Sequence, residues 1–137
     1  MNPLAPLYRI ADSLRYRRHG NLGKHGEDLA HRYLRRNGFT VVARNWRPPQ
    51  GGGEIDIVAW DGDWLVFVEV KTRAADSLSA PERAIDSEKM IALRRAARDY
   101  IRRSGAEESQ VRFDAISITG RELEHLRDAF SEDGRPI

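Results

Sequence analysis

The sequence predicts an α/β fold, a mixed five-stranded sheet flanked by helices, and three observations carry that reading. Apolar residues recur first at helical spacing, then alternate in three strand-like runs, then return to helical spacing before two last alternating runs. Asp61-Gly62 sits between two of the runs and forces them antiparallel. The long helical segment between the third and fourth runs suits a crossover between parallel strands. With 137 residues, 40% of them hydrophobic and 32% charged, the chain is expected to build one core.

Residues 1–22 read as a basic leader, in which Leu4, Leu7, Tyr8, Ala11 and Leu14 approach the spacing of a short amphipathic helix beside Arg9, Arg15, Arg17 and Arg18. Gly20 to Gly23 break that pattern, so the domain is placed at 23–130 and a frayed tail at 131–137. From Lys24 to Arg36, the residues Gly26, Leu29, Ala30, Tyr33 and Leu34 form one apolar stripe, closed by Asn37-Gly38. Phe39 to Ala43 is short and β-branched, hence a strand. Asn45 to Gly53, with two prolines and three consecutive glycines, reads as a mobile loop. Glu54–Trp60 and Trp64–Lys71 then form the arms of a hairpin. A helix spans Pro81 to Arg103 and stops at Ser104-Gly105; Val111–Ile118 and Glu122–Leu126 pair across Thr119-Gly120.

Composition removes several chemistries. Without cysteine there are no disulfides, thiolate metal sites or thiol nucleophiles, so any metal must sit on carboxylate or imidazole, and the four histidines lack metal-ligand spacing. No apolar run is long enough to span a bilayer, and the N-terminus lacks the pattern of a secretory signal, so a cytoplasmic protein without stable membrane insertion is expected. Net charge is only +2, yet the pI is about 9.2 and the basic residues cluster, in the leader and again at Lys89, Arg94, Arg95, Arg98, Arg102 and Arg103. Such clusters can neutralise nucleic-acid phosphates or simply be solvated helix faces.

The second hairpin strand carries the chemistry. Leu65, Phe67, Glu69 and Lys71 share one face, and the two charges interrupt a run of Leu, Val and Phe where an unpaired charge is expensive. If Asp61-Gly62 is a two-residue loop, Trp60 pairs with Asp63, Asp56 lies opposite Phe67, and Glu54 lies opposite Glu69. Asp56 is then diagonal to Glu69 on the same face, within reach of a shared ion. A one-residue slip would remove the site, and a three-residue loop using Asp63 remains an alternative. Two converging carboxylates call for a cation, and hard oxygen ligands suit Mg²⁺ or Mn²⁺. Lys71 is placed to serve the attacking water or the transition-state charge. Glu27, at the edge of the first helix's stripe, reads by spacing alone as an ordinary first-turn acid favoured by the helix dipole.

Gly26-Glu27, Gly53-Glu54-Ile55-Asp56, Val66-Phe-Val-Glu-Val-Lys-Thr-Arg73 and Arg112-Phe-Asp114 together resemble the YraN (UPF0102) family over about residues 23–130. That family is placed in the PD-(D/E)xK nuclease-like superfamily and is similar to archaeal Holliday-junction resolvases. The resemblance implies a restriction-endonuclease-like core. It implies Asp56, Glu69 and the backbone carbonyl of Val70 as metal ligands, Lys71 as the catalytic lysine, and Glu27 as a helix-borne acid. Ile55 stands where the superfamily pattern has proline. The expectation is a Mg²⁺- or Mn²⁺-dependent nuclease acting on DNA, branched or flapped forms included, with a homodimer called for if two strands of a junction are cut symmetrically. The rival is a nucleic-acid-binding or complex-assembly module that keeps the fold without turnover. Thr72, Arg73, Lys89, Arg44 and Arg47 are candidate phosphate contacts, and Trp46 a candidate base-stacking residue. Trp60 and Trp64, flanking the turn, are expected to pack on each other or cover the sheet edge.

Overall fold

The computed structural model describes residues 22–73, 87–107, 109–120 and 122–130. The expected leader up to residue 21, the start of the long helix at 81–86 and the tail at 131–137 lie outside them. The elements are α1 (Leu22–Arg36), β1 (Thr40–Trp46), β2 (Ile55–Asp61), β3 (Trp64–Arg73), α2 (Ser87–Ser104), β4 (Gln110–Thr119) and β5 (Glu122–Leu126). Helix α1 takes in Leu22 and Gly23, which the sequence reading had treated as a break. Its end is as expected: the Asn37 and Phe39 N–H groups donate to the carbonyls of Tyr33 and Leu34.

The five strands lie in the order of the chain, and only β3 and β4 are parallel, with α2 making the crossover between them. This is the α/β, mixed-sheet architecture expected from the pattern. Side-chain alternation divides the core into two layers. On one face α1 lays Leu29, Ala30 and Leu34 over Ile57, Ala59, Val66 and Val68. On the other α2 lays Met90, Leu93, Ala96 and Ala97 over Val58, Leu65 and Phe67. Each fully buried Val, Leu or Phe stabilises the fold by roughly 1.5–3 kcal/mol. Among the described residues no helix is long and apolar enough to cross a membrane.

The hairpin register differs from the expected one. Asp61 pairs with Trp64 and Trp60 with Leu65, so the loop residues are Gly62 and Asp63 rather than Asp61 and Gly62. Gly62, at φ +60°, takes the first loop position, which in a type II′ turn demands glycine, while Asp63 stays at negative φ. Asp56 therefore does not lie opposite Phe67, which pairs with Val58. The displacement is two residues, and an even displacement keeps every side chain on its face.

Two further expectations are corrected. Strand β1 continues through Asn45 to Trp46, past the point where a mobile loop was expected, because Arg44 and Trp46 still pair with Ile57 and Ile55. Trp60 and Trp64 occupy adjacent rungs but opposite faces. Trp60 packs against the α2-side core, while Trp64 has the Arg112 guanidinium over its ring at 6.0 Å from the centroid.

Candidate functional site

The β2–β3 ladder stops at Ile57–Val68, although β2 remains paired with β1 to Ile55 and β3 with β4 to Arg73. Beyond that rung the central strands fork. In the fork the Val70 N–H donates to Asp56 Oδ2 at 2.8 Å. Glu69, buried at 2% exposure, stands beside it on the α2 side. Burial first, and the charge of Glu69 second, push the Asp56 pKa up to about 7, against the opposing bond from Val70. Both carboxylates can be charged there only with cations close by.

Two lysines supply positive charge. Lys89 Nζ, reaching in from α2, is 2.6 Å from Glu69 Oε2, and Lys71 Nζ is 4.0 Å from the same oxygen. Burial opposes the charge on Lys89, but the hydrogen bond to Glu69, the charge of Glu69 and the contributions of Lys71 and Asp56 together outweigh it and raise the pKa. Lys71 moves the other way: burial, then the neighbouring Lys89 charge, lower its pKa. The two carboxylates and Lys89 border a cavity of about 170 Å³ between Gly53, Glu54, Asp56 and Glu69 on the sheet side and Lys89, Ala92 and Leu93 on α2. Gly53 shapes its wall, since a Cβ there would lie 2.7 Å from the Ala92 carbonyl oxygen and its φ is +145°.

Glu27 is brought to the same end of the sheet without joining the pair. A Cβ on Gly26 would fall 2.1 Å from Thr72 Oγ1, so glycine lets α1 press against the end of β3. Glu27 lies past the first turn of α1, which removes the helix-dipole account of it. It lines a separate, open recess of about 430 Å³ with Lys24, Asp28, Arg44 and Asn45. Arg44 Nη2 is 2.7 Å from Asp28 and 3.8 Å from Glu27. Burial raises the Glu27 pKa, opposed by Asn45 and Arg44, and its charge contributes to the upward shift of Asp56. Asp56 and Glu69 are hard oxygen donors and fit Mg²⁺ or Mn²⁺ in type. Among the described residues no group of three or more His, Cys, Asp or Glu side chains could hold a metal ion.

On the opposite, α1 side the sheet buries a second charged cluster. Asp114, fully buried, accepts from Arg112 Nε at 2.8 Å and Nη2 at 3.0 Å and from the Asp128 N–H at 2.9 Å. His125 Nε2 lies 2.8 Å from the same carboxylate and its Nδ1 lies 3.2 Å from the Tyr33 hydroxyl. Arg112 also donates to Asp61 at 2.9 Å. Alternation along β4 puts Arg112 and Asp114 on the face of Ile116 and Ile118, and the register with β3 brings them beside Val66 and Val68, whereas nothing in sequence spacing points to His125 or Tyr33.

The model of "Uncharacterised protein family UPF0102" matches residues 26–118. The chain belongs to this family, the YraN family. A UPF0102 protein from Solibacter usitatus is 56% identical over 128 residues, covering 90% of this chain and 97% of its own length. One from Rhodococcus jostii is 46% identical over 114 residues, covering 80% and 95%. Another, from Nitratidesulfovibrio vulgaris, is 46% identical over 112 residues, covering 79% and 82%.

In this UPF0102 chain the secondary candidates separate. Lys89, expected among the phosphate contacts, is drawn into the carboxylate site. Thr72 faces α1, under Gly26, while Arg73 ends β3 opposite Thr119 and is half-buried. Arg44 is neutralised by the α1 carboxylates, and Arg47 donates to Glu54 at 3.3 Å. Trp46 is no loop residue: it ends β1, half-buried, with its ring packed against the α2-side core and meeting Tyr100 of α2 at 5.4 Å in a T-shaped contact.

Proposed function

We propose that this UPF0102 protein is a Mg²⁺- or Mn²⁺-dependent nuclease that hydrolyses phosphodiester bonds in DNA, branched and flapped forms included. The observation that supports this reading best is the pair of adjacent carboxylates, Asp56 and Glu69, sunk in a strand fork with Lys71 and Lys89 beside them. Asp56, Glu69 and the backbone carbonyl of Val70 would hold the cation. When bound, it supplies Lewis acidity to the phosphoryl oxygen and lowers the pKa of a water. Lys71 orients that water through its Nζ and meets the charge that builds on the phosphate, while the proton the water gives up ends on the departing ester oxygen. The water oxygen bonds to phosphorus as the ester P–O bond breaks, leaving one phosphate and one hydroxyl end. Glu27 contributes through its field at Asp56.

Substrate phosphates fall to α2. Arg94, Arg95 and Arg98 make no ion pair with a carboxylate among the described residues, whereas Arg44, Arg47, Arg102, Arg103 and Arg112 do. The unneutralised arginines can grip a backbone without reading sequence. A homodimer would set two such sites for symmetric cutting of a junction.

Wild type and Lys71→Ala are assayed on single-stranded, duplex, flap and four-way DNA with Mg²⁺ or Mn²⁺. The variant is expected to lose about 100-fold or more in rate. Equal rates would falsify the assignment of Lys71. The reading without turnover draws on the direct bond between Lys89 and Glu69, which already neutralises one carboxylate. It predicts DNA binding by both proteins and cleavage by neither.

A further inference from the structure

We infer that Lys89 is the resident counter-ion of the Asp56–Glu69 pair, and that a divalent cation reaches those carboxylates by displacing its ammonium. The inference rests on the proposed cation site and adds the residue that sets access to it. Lys89 Nζ stands 2.6 Å from Glu69 Oε2, the separation of a direct charge-assisted hydrogen bond, and so takes up the space a cation on that oxygen needs.

The two partners differ in freedom. Glu69 is 3% exposed and is fixed in the central strand, whereas the Lys89 side chain is 47% exposed. Lys89 reaches inward from the surface of α2, beside Met90 and Leu93, which anchor that helix in the core. Rotation about its own stem returns the ammonium to water and leaves the backbone in place. Lys71 has no such route. It lies on the same strand as Glu69, two residues on, with its stem half-buried and its Nζ 4.0 Å from the oxygen.

Charge balance gives the direction of the exchange. Asp56 and Glu69 face two ammonium groups, and Glu54 on the cavity wall is matched by Arg47, so the charged set is neutral before any metal arrives. A divalent cation added beside both lysines would leave an excess of positive charge in a confined space, and release of the exposed lysine reduces it. The released ammonium stays at the cavity mouth, where an incoming phosphate would meet it. Lys71 is the fixed cation of the site and Lys89 the exchangeable one.

The test is Mn²⁺ binding to the full chain, followed by the electron paramagnetic resonance signal of free Mn²⁺, with no nucleic acid present. Lys89→Met keeps the stem and removes the charge, and is expected to tighten Mn²⁺ about tenfold. Lys89→Arg, which keeps the charge, is expected to stay near wild type. Asp56→Asn marks binding at this site by weakening it. If Lys89→Met fails to fold, as judged by its thermal melt, Lys89→Gln takes its place with the same expectation. Unchanged or weaker Mn²⁺ binding in the neutral variants, with Asp56→Asn still weakening it, overturns the counter-ion role and leaves the metal reading standing. Mn²⁺ binding indifferent to Asp56 in every protein overturns both.

Discussion

On the α1 side of the sheet, Asp114 is fully buried, yet it receives Arg112 through two nitrogens, His125 and a backbone N–H, and its pKa is lowered. Across the sheet Asp56 receives one N–H, stands beside a second carboxylate, and its pKa is raised. In both places burial alone would favour the neutral acid. At Asp114 the bonds from His125, Arg112 and Asp128 outweigh it; at Asp56 the charge of Glu69 adds to it. A closed network of this kind holds elements together. An open one keeps an electrostatic demand that a cation can meet, which is how a structural cluster differs from a candidate chemical one.

The largest effect should come from opening the closed cluster. Asp114→Ala leaves Arg112 with Asp61 alone and is expected to cost about 3–5 kcal/mol in urea unfolding. A loss below about 1 kcal/mol would mean that this cluster does not hold the sheet.

The reverse change, relieving the open cluster, should stabilise. With a folded pKa raised from 3.8 to about 7, Asp56 disfavours folding most above the folded pKa, where both the folded and the unfolded chain are ionised. Stability is therefore lost as pH rises between those values and levels off above them. Asp114 has the opposite sign: its lowered pKa contributes stability above the ordinary aspartate value, and that stability disappears as pH falls through the folded pKa. Asp56→Asn, which can still accept from Val70, should flatten the first slope and raise stability at pH 8 in EDTA by up to about 4 kcal/mol. An unchanged unfolding midpoint at that pH would remove the contrast between the clusters.

A smaller effect tests how α1 is seated across the end of the fork. Gly26→Ala drives a methyl into Thr72 Oγ1 and should cost about 1–3 kcal/mol. Thr72→Ala in the same chain should return part of that loss, because it removes the nearest atom while leaving the Thr72 Cβ position at 3.1 Å. Additive losses in the double variant would show that the two residues do not press on each other.

Element types and the mixed sheet were legible because periodicity and turn residues act locally. The face shared by Asp56, Glu69 and Lys71 was legible for the same reason: alternation is a property of each strand. The register that sets Asp56 beside Glu69 was not, since Asp61-Gly62 and Gly62-Asp63 are both acceptable loops and the choice depends on which position glycine occupies. Lys89 was underrated because its role is created by the crossover, which returns the helix over Glu69 from a distant part of the chain. Trp46 was misplaced because a proline- and glycine-rich stretch hid the strand leading into it, and its partner Tyr100 lies far along the sequence. Arg44 and Arg47 looked available for phosphate because the carboxylates that occupy them come from α1 and from Glu54, just before β2.

The two-residue displacement at the Gly62 turn left the carboxylates and lysine on one side of the sheet, and this has a consequence for how the chain can vary. Chemistry carried by alternate positions depends on whether the hairpin count is odd or even, rather than on the count itself. Paired insertions or deletions at the turn would lengthen or shorten the arms and spare the constellation, whereas a single-residue change in one arm would turn its acid away from its partner.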